Sequence, residues 1–276
     1  MDNTRVSVIM PVYNNVQFIE AAIKGIIDFA DQLIIVEGAW NPELPRRSTD
    51  GTWEVVKGMA ERDDRIELIP YHHSDSLPLP VTDTYRPPVL ANELEAKRQA
   101  LKQVTGNWWM LVDSDEFYEP DALVRLKEYL DNFTDIEDEA FSFSLKSFVF
   151  YFGFSFGTRE SFHRINSIRG EIVLDYTDNL VYDIPHTIEE IPEDIAFMFH
   201  YGYVGDERVK AKMSMWDADA AIQWYDTVYL PMTKGQDIGI KNFHLFADKL
   251  GYGGKFEKFE GEHPKLIQEL INRETV

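Results

Sequence analysis

Two hydrophobic periods alternate along the first 131 residues. Short, nearly continuous apolar runs lie at Arg5–Met10 (RVSVIM, ending at Pro11), Leu33–Glu37 (LIIVE), 65–69 (RIELI) and 108–112 (WWMLV). Runs of this length bounded by turn residues read as buried strands. Between them the period changes to that of a helix. Residues 16–29 place Phe18, Ala22, Ile26 and Phe29 on one face, and 52–61 do so with Trp53, Val56 and Met59 or Ala60. Residues 91–104 stop at Gly106, and 120–131 open on Pro120 with Leu123, Leu126 and Leu130 aligned. Such alternation predicts a parallel sheet covered by helices. One long loop, 70–90, interrupts it with five prolines.

After residue 131 the grammar changes. Residues 140–150, 171–184 and 195–204 read as strands, without a helical pattern of useful length until about 206. This half is expected to be β-rich, antiparallel or mixed. Residues 206–276 read as helices and loops, with Gly251, Gly253 and Gly254 at a turn. The most apolar stretch, 141–156, alternates Phe with Ser and carries Lys146. It is a strand pattern, too short and polar to cross a bilayer.

Composition narrows the function. Apolar residues at 44% and aromatics at 13% are incompatible with wholesale disorder. Against 27 Lys and Arg stand 48 Asp and Glu, a net charge of −21. That argues against a general nucleic-acid binder and against charge-driven adhesion to anionic membranes. A local basic pocket for an anion stays open. There is no cysteine, which removes disulfides, thiolate metal sites and cysteine nucleophiles. The opening MDNTRVSVIMPVYNN lacks a signal-peptide pattern, so a cytoplasmic location is expected, with any membrane contact peripheral.

The feature that carries chemistry is Asp113-Ser114-Asp115, directly after WWMLV. Ligands of open α/β sheets bind outside the carboxyl ends of strands. Two carboxylates at i and i+2 on a bend there can face one ligand, and hard cations such as Mg²⁺ or Mn²⁺ favour oxygen donors shared with substrate phosphates. The competing reading is a solvated acidic turn.

Four motifs follow in order: VSVIMPVYNN at 6–15, LIIVEGA at 33–39, STDGT at 48–52 and KRQALKQVTGNWWMLVDSDEFYEP at 97–120. Together they resemble family 2-like glycosyltransferases of the GT-A fold, DxD-containing members of the nucleotide-diphospho-sugar transferase superfamily. The DSDE version is most similar to the subset that glycosylates lipopolysaccharide cores and similar glycans. The resemblance implies an α/β, Rossmann-like fold with a mixed, mainly parallel central sheet flanked by helices, and a helical C-terminal extension. It implies a GT-A domain over 1–205, with a nucleotide-sugar-binding half (1–115) and an acceptor half (116–205), and the extension over 206–276. The implied reaction moves a sugar from a UDP-, GDP- or dTDP-sugar to a glycan, lipid-linked or small-molecule acceptor, with Mn²⁺ or Mg²⁺. Inversion is expected, and a retaining mechanism stays open.

The resemblance also assigns residues. Pro11, Val12 and Tyr13 lie along the nucleoside. Glu37 stands where the family usually has an Asp that bonds the base; the longer side chain leaves uracil, guanine and thymine open. Nine residues, Ala39–Arg47, separate Gly38 from Ser48, where the family has none. Arg46 and Arg47 touch phosphate or lie on the surface. Asp50 and Gly51 make a turn and cap a helix. Arg98 approaches the nucleotide or lies on a solvated face. Asp113 orients the donor beside the metal, Asp115 ligates it, and His200 is a further ligand or a packed strand-end residue. Arg208, Lys210 and Lys212 form a basic cluster, of which Lys210 is assigned to the nucleotide sugar; a solvated helix face is the alternative. An inverting transfer needs a general base. Asp178, Asp183, His186, Glu189 and Glu190 are candidates, with Glu189 favoured and His186 lining the acceptor site. His186-Thr187 departs from the His-Glu pair of the subset.

Other classes fit less well. A sugar-1-phosphate nucleotidyltransferase would carry a Gly-rich loop after the first strand, where this chain has PVYNN. An aspartate phosphatase would carry its D-x-D after the first strand, not the fourth. The alternative kept is a catalytically degenerate GT-A domain that binds a glycan or a partner. The aromatic run Phe148–Phe156 is assigned mainly to the core, with one face open to sugar rings.

Overall fold

A computed structural model describes residues 4–73, 88–132, 140–156, 160–167, 172–174, 180–182, 188–216, 225–234 and 256–274. Strands β1 (Val6–Val12), β2 (Gln32–Glu37), β3 (Ile66–Pro70) and β4 (Trp108–Leu111) alternate with helices α1 (Ile19–Ile26), α2 (Thr52–Ala60) and α3 (Pro88–Leu101). Then follow β5 (Glu116–Phe117), α4 (Pro120–Asp131), β6 (Ala140–Phe156), β7 (Glu160–Ser167), β8 (Ile172–Leu174), β9 (Leu180–Tyr182), β10 (Ile188–Ile191) and β11 (Met198–Val204). The chain continues with α5 (Asp206–Trp216), a π-helical turn at Tyr225–Tyr229, β12 (Phe256–Lys258) and α6 (Lys265–Glu274).

The central sheet runs β3-β2-β1-β4-β7-β6-β11-β5, with β10 and β12 also paired to β6. It is mixed and mainly parallel. β1 is parallel to β2 and β4, β2 to β3, and β6 to β10 and β11. The pairings of β7 with β4 and β6, of β5 with β11 and of β12 with β6 are antiparallel. β8 and β9 form a separate hairpin ladder.

β1 passes through Pro11 to Val12 instead of stopping at the proline. The ring removes an N–H, but β4 pairs with β1 only as far as Leu111 opposite Ile9, so that flank of Pro11 has no ladder bond to lose. Gly106 precedes β4 because a Cβ there would lie 2.5 Å from Arg5 O.

Apolar layers cover both faces of the sheet. On one, Phe18, Ile19, Ile23 and Ile26 of the α1 region and Leu123, Leu126 and Leu130 of α4 bury Val8, Met10, Leu33 and Met110. On the other, Leu94, Ala96 and Ala100 of α3 join Ile9, Ile34, Trp109 and Leu111. Residues beyond 205 share this framework. α5 follows β11 directly, β12 extends the sheet at the far end of β6, and α6 buries Ile267 and packs Leu266 and Leu270 against the first layer. No helix of the described residues is long and apolar enough to cross a membrane.

Candidate active site at the carboxyl ends of the parallel strands

β1 and β2 end side by side, with Val12 opposite Glu37, and β4 ends next to them. Three loops leave this edge and are tied together by short polar side chains. Asn14 takes a left-handed φ of 45°, which Asn tolerates better than most residues. Its N–H donates to Ser48 Oγ at 2.8 Å, and its Oδ1 accepts from the Thr49 N–H at 2.8 Å. Asn15 donates from Nδ2 to Ser114 O and Oγ at 3.1 and 2.6 Å, and from its backbone to Thr52 Oγ1 at 2.8 Å. Asp50 Oδ1 accepts from the N–H and hydroxyl of Thr52 at 3.0 and 2.7 Å, and Oδ2 from the Val16 N–H at 2.9 Å. The first loop, the STDGT turn and the Asp-Ser-Asp bend therefore form one framework.

On the β2 side, Glu37 is wholly buried. Its Oε1 accepts from the Ser48 N–H at 2.7 Å, and its Oε2 is buried without a hydrogen-bond partner. Burial raises its pKa against the lowering effect of the Ser48 bonds. Tyr13 donates to Pro45 O at 3.0 Å, which fastens the Ala39–Arg47 segment over this end of the sheet. Ala39, Trp40 and Asn41 of that segment are buried, while Arg46 is exposed. Arg47 stacks its guanidinium 3.9 Å from the Trp53 ring centroid.

On the other side, Asp113 is half-buried and donates its N–H to Glu116 Oε2 at 3.1 Å. Asp115 turns inward and is 6% exposed. Its Oδ2 accepts from Arg208 Nη2 at 2.5 Å and from Lys212 Nζ at 3.3 Å. Its Oδ1 is buried without a hydrogen-bond partner and lies 3.6 Å from His200 Nε2. Burial alone would raise the pKa of Asp115, but Lys212, then Arg208 and His200, hold it well below the usual carboxylate range. Ser147 Oγ lies 3.0 Å from His200 Nδ1 and orients the ring.

Arg208 is fixed from several sides. Nη1 donates to Gly202 O at 2.9 Å, Nη2 also to Tyr201 O at 2.8 Å, and Cζ stands 5.1 Å from the Phe18 ring centroid. The His200 imidazole packs against Gly202, where a side chain would otherwise stand. A Cβ there would lie 2.4 Å from His200 Nε2 and 3.1 Å from Lys212 Nζ.

The structure thus brings together Asp115, His200, Arg208 and Lys212, with Asp113 at the rim. Arg98 lies exposed on α3. Lys210 is exposed too, because i+2 on a helix turns it away from the face shared by Arg208 and Lys212. Glu189 is not brought to this centre. It lies opposite Phe141 on β6, six residues before Ser147, or about 20 Å along an extended strand. Glu190 is exposed and accepts a hydrogen bond from Ser144. Asp178, Asp183 and His186 lie outside the described residues.

Asn15, Ser147 and Gly202 carry structural duties that the sequence did not assign. One signal was present for the second. Leu145 and Phe148 face the same apolar layer, as do Met198 and Tyr201. A strict period of two would put the members of each pair on opposite faces. Both strands shift phase at the register pair Ser147–His200, which leaves these two polar residues beside Asp115.

No protein-family model matches the chain, and no curated protein matches it. Among solved structures it is similar to S. aureus TarS at 18% identity and a TM-score of 0.35, over 52% of this chain and 22% of that one. A structure of TarS residues 1–349 aligns at 12% identity and a TM-score of 0.40, over 90% of this chain and 79% of that one. The mannosyltransferase PcManGT from Pyrobaculum calidifontis, in complex with GDP-Man and Mn²⁺, aligns at 24% identity and a TM-score of 0.35, over 51% and 35%. The chain spans about a fifth of the first of these and about a third of the mannosyltransferase.

Proposed function

We propose that the protein is a glycosyltransferase that takes a sugar from a nucleotide-diphosphate donor bound at the carboxyl ends of β1, β2 and β4. The observation that carries the reading is the convergence on Asp115 of His200, Arg208 and Lys212 at the edge where Glu37 and Tyr13 also lie. A buried acidic side chain for the nucleoside at one end and the paired cations Arg208 and Lys212 at the other suit a nucleoside diphosphate. Lys212 faces the anion, and Asp113 is placed to orient the sugar.

The residues also fit a divalent cation. Asp115 Oδ1 is a buried oxygen without a hydrogen-bond partner, and the imidazole nitrogen 3.6 Å away is the second donor. Among the described residues no three His, Asp or Glu side chains gather as a complete cage. Asp115 and His200 would hold Mn²⁺ or Mg²⁺ with the diphosphate completing its shell. When bound, the ion supplies Lewis-acid stabilisation of the leaving diphosphate. The chain's own part is to bind the donor, hold Asp115 ionised and keep water out of the centre through the Phe18 and Tyr201 layer. Inversion, a hexose donor, a glycan or lipid-linked acceptor and a cytoplasmic location complete the reading.

The test is release of nucleoside diphosphate from a panel of UDP-, GDP- and dTDP-hexoses with Mn²⁺ or Mg²⁺. One donor class should be consumed, at a rate that falls at least about 100-fold in Asp115→Ala. Nucleotide binding without release from any donor, with acceptor glycans present, would favour the binding module instead.

A further inference from the structure

Asp115 has two cationic partners, and they are held differently. Arg208 is buried and anchored to Gly202 O and Tyr201 O as well as to the carboxylate. Lys212 is about a quarter exposed; its ammonium stands 3.3 Å from Asp115 Oδ2 and 5.2 Å from the Tyr203 ring centroid. A long, flexible side chain with an exposed flank can swing, whereas the guanidinium cannot leave without abandoning two carbonyls. Lys212 and His200 also converge on Gly202, where a Cβ would lie 3.1 Å from the ammonium and 2.4 Å from the imidazole Nε2.

Count the charges that a divalent ion would meet there. Asp115 is balanced by Arg208 and Lys212, with Asp113 acting on Lys212 from the rim. The two cations offset the Asp113 and Asp115 carboxylates, and an ion of charge +2 entering beside the ammonium is repelled by it. A diphosphate changes this balance, because its oxygens give Lys212 a better partner than a carboxylate shared with Arg208.

We propose that Lys212 is a counter-ion in waiting, which occupies Asp115 in the free protein and transfers to the donor's diphosphate when donor and divalent cation bind together. Lys212 is then both the diphosphate ligand of the site and the reason that the bare cation binds poorly. This deepens the transferase reading and rests on it. Cation and nucleotide bind synergistically, and the coupling between them is reciprocal.

The experiment measures Mn²⁺ binding by electron paramagnetic resonance, with and without UDP, GDP or dTDP, in the wild type and in Lys212→Gln and Lys212→Arg. In the wild type, Mn²⁺ alone should bind at least tenfold more weakly than in the presence of the one nucleotide that fits. Lys212→Gln should bind Mn²⁺ alone at least tenfold more tightly than the wild type, bind that nucleotide at least tenfold more weakly, and lose the synergy. Lys212→Arg, which keeps the charge, should keep the synergy. A Lys212→Gln protein that binds bare Mn²⁺ no better than the wild type, or keeps the synergy, overturns the proposal while leaving the transferase reading intact. Failure of every nucleotide to bind with Mn²⁺ overturns both.

Discussion

Arg208 Nη2 lies 2.5 Å from Asp115 Oδ2, although 93 residues separate them. The contact joins the bend after β4 to the first turns of α5, so the segment after residue 205 contributes to the cluster around Asp115. Both groups are nearly buried. Breaking such a pair by deleting one partner costs about 3–5 kcal/mol, whereas replacing both with apolar groups is often neutral. Asp115→Ala should therefore lower Tm as well as abolish donor binding. The double variant Asp115→Ala/Arg208→Met should recover most of the stability and none of the binding. Thermal unfolding and nucleotide calorimetry on the same samples check both halves of this expectation.

Gly202 offers a steric probe that removes no functional group. A methyl group there would stand 2.4 Å from His200 Nε2, so the ring has to move aside. Gly202→Ala should fold, with a near-native far-ultraviolet circular dichroism spectrum, and should lose at least about tenfold in metal-dependent nucleotide affinity. Unchanged affinity would mean that the placement of the His200 ring is not part of the site.

Glu37 links the nucleoside end to pH. Its folded pKa is raised by burial. For an acid shifted in this direction the native state holds the proton more tightly than the unfolded chain. Ionisation therefore costs stability as pH rises past the unfolded value of about 4.3. Glu37→Gln keeps an oxygen for the Ser48 N–H and removes that cost. The variant should be more stable than the wild type at pH 7 by a few degrees in Tm, at about 2–4 °C per kcal/mol, and the advantage should vanish near pH 4. Nucleotide affinity should fall in the same variant. Tm against pH for both proteins, with calorimetry at pH 7, tests the two effects together.

Asn15 is a hinge pin between the first loop and the Asp-Ser-Asp bend. Asn15→Ala removes both Nδ2 bonds to Ser114, at a cost of about 1–3 kcal/mol for the groups left unpaired. Hydrogen exchange should quicken at residues 113–116, and donor affinity should weaken while the remainder of the sheet keeps its protection.

Much of the fold was legible because local and global signals agreed. Helix 120–131 was readable to the residue from Pro120 and the Leu123–Leu126–Leu130 stripe, and α4 has those bounds. The four parallel strands followed from apolar runs separated by helical stretches. The Phe/Ser strand pattern at 141–156 is β6, which runs from Ala140 to Phe156, but its partner β12 lies in a segment read as helices and loops. A three-residue strand has too little sequence to announce itself. In the site, Asp115 and His200 were nameable and they meet, while helical phase places Lys210 exposed, away from the face that 208 and 212 share. Glu189 was judged by its place in the chain, and the β6 register that carries it away from Ser147 depends on long-range pairing. Asn15 stood in a quoted motif, yet nothing local ties it to Ser114.

The most direct test of the central claim is calorimetric titration of the protein with UDP, GDP and dTDP, each with Mn²⁺ and then with EDTA. The arrangement of Glu37, Asp115, His200 and Lys212 predicts tight binding of one nucleotide that weakens at least about tenfold without the cation. Folded protein that binds none of the three under either condition would contradict it, and would reduce the Asp113–Asp115 bend to an acidic turn held in place by Arg208.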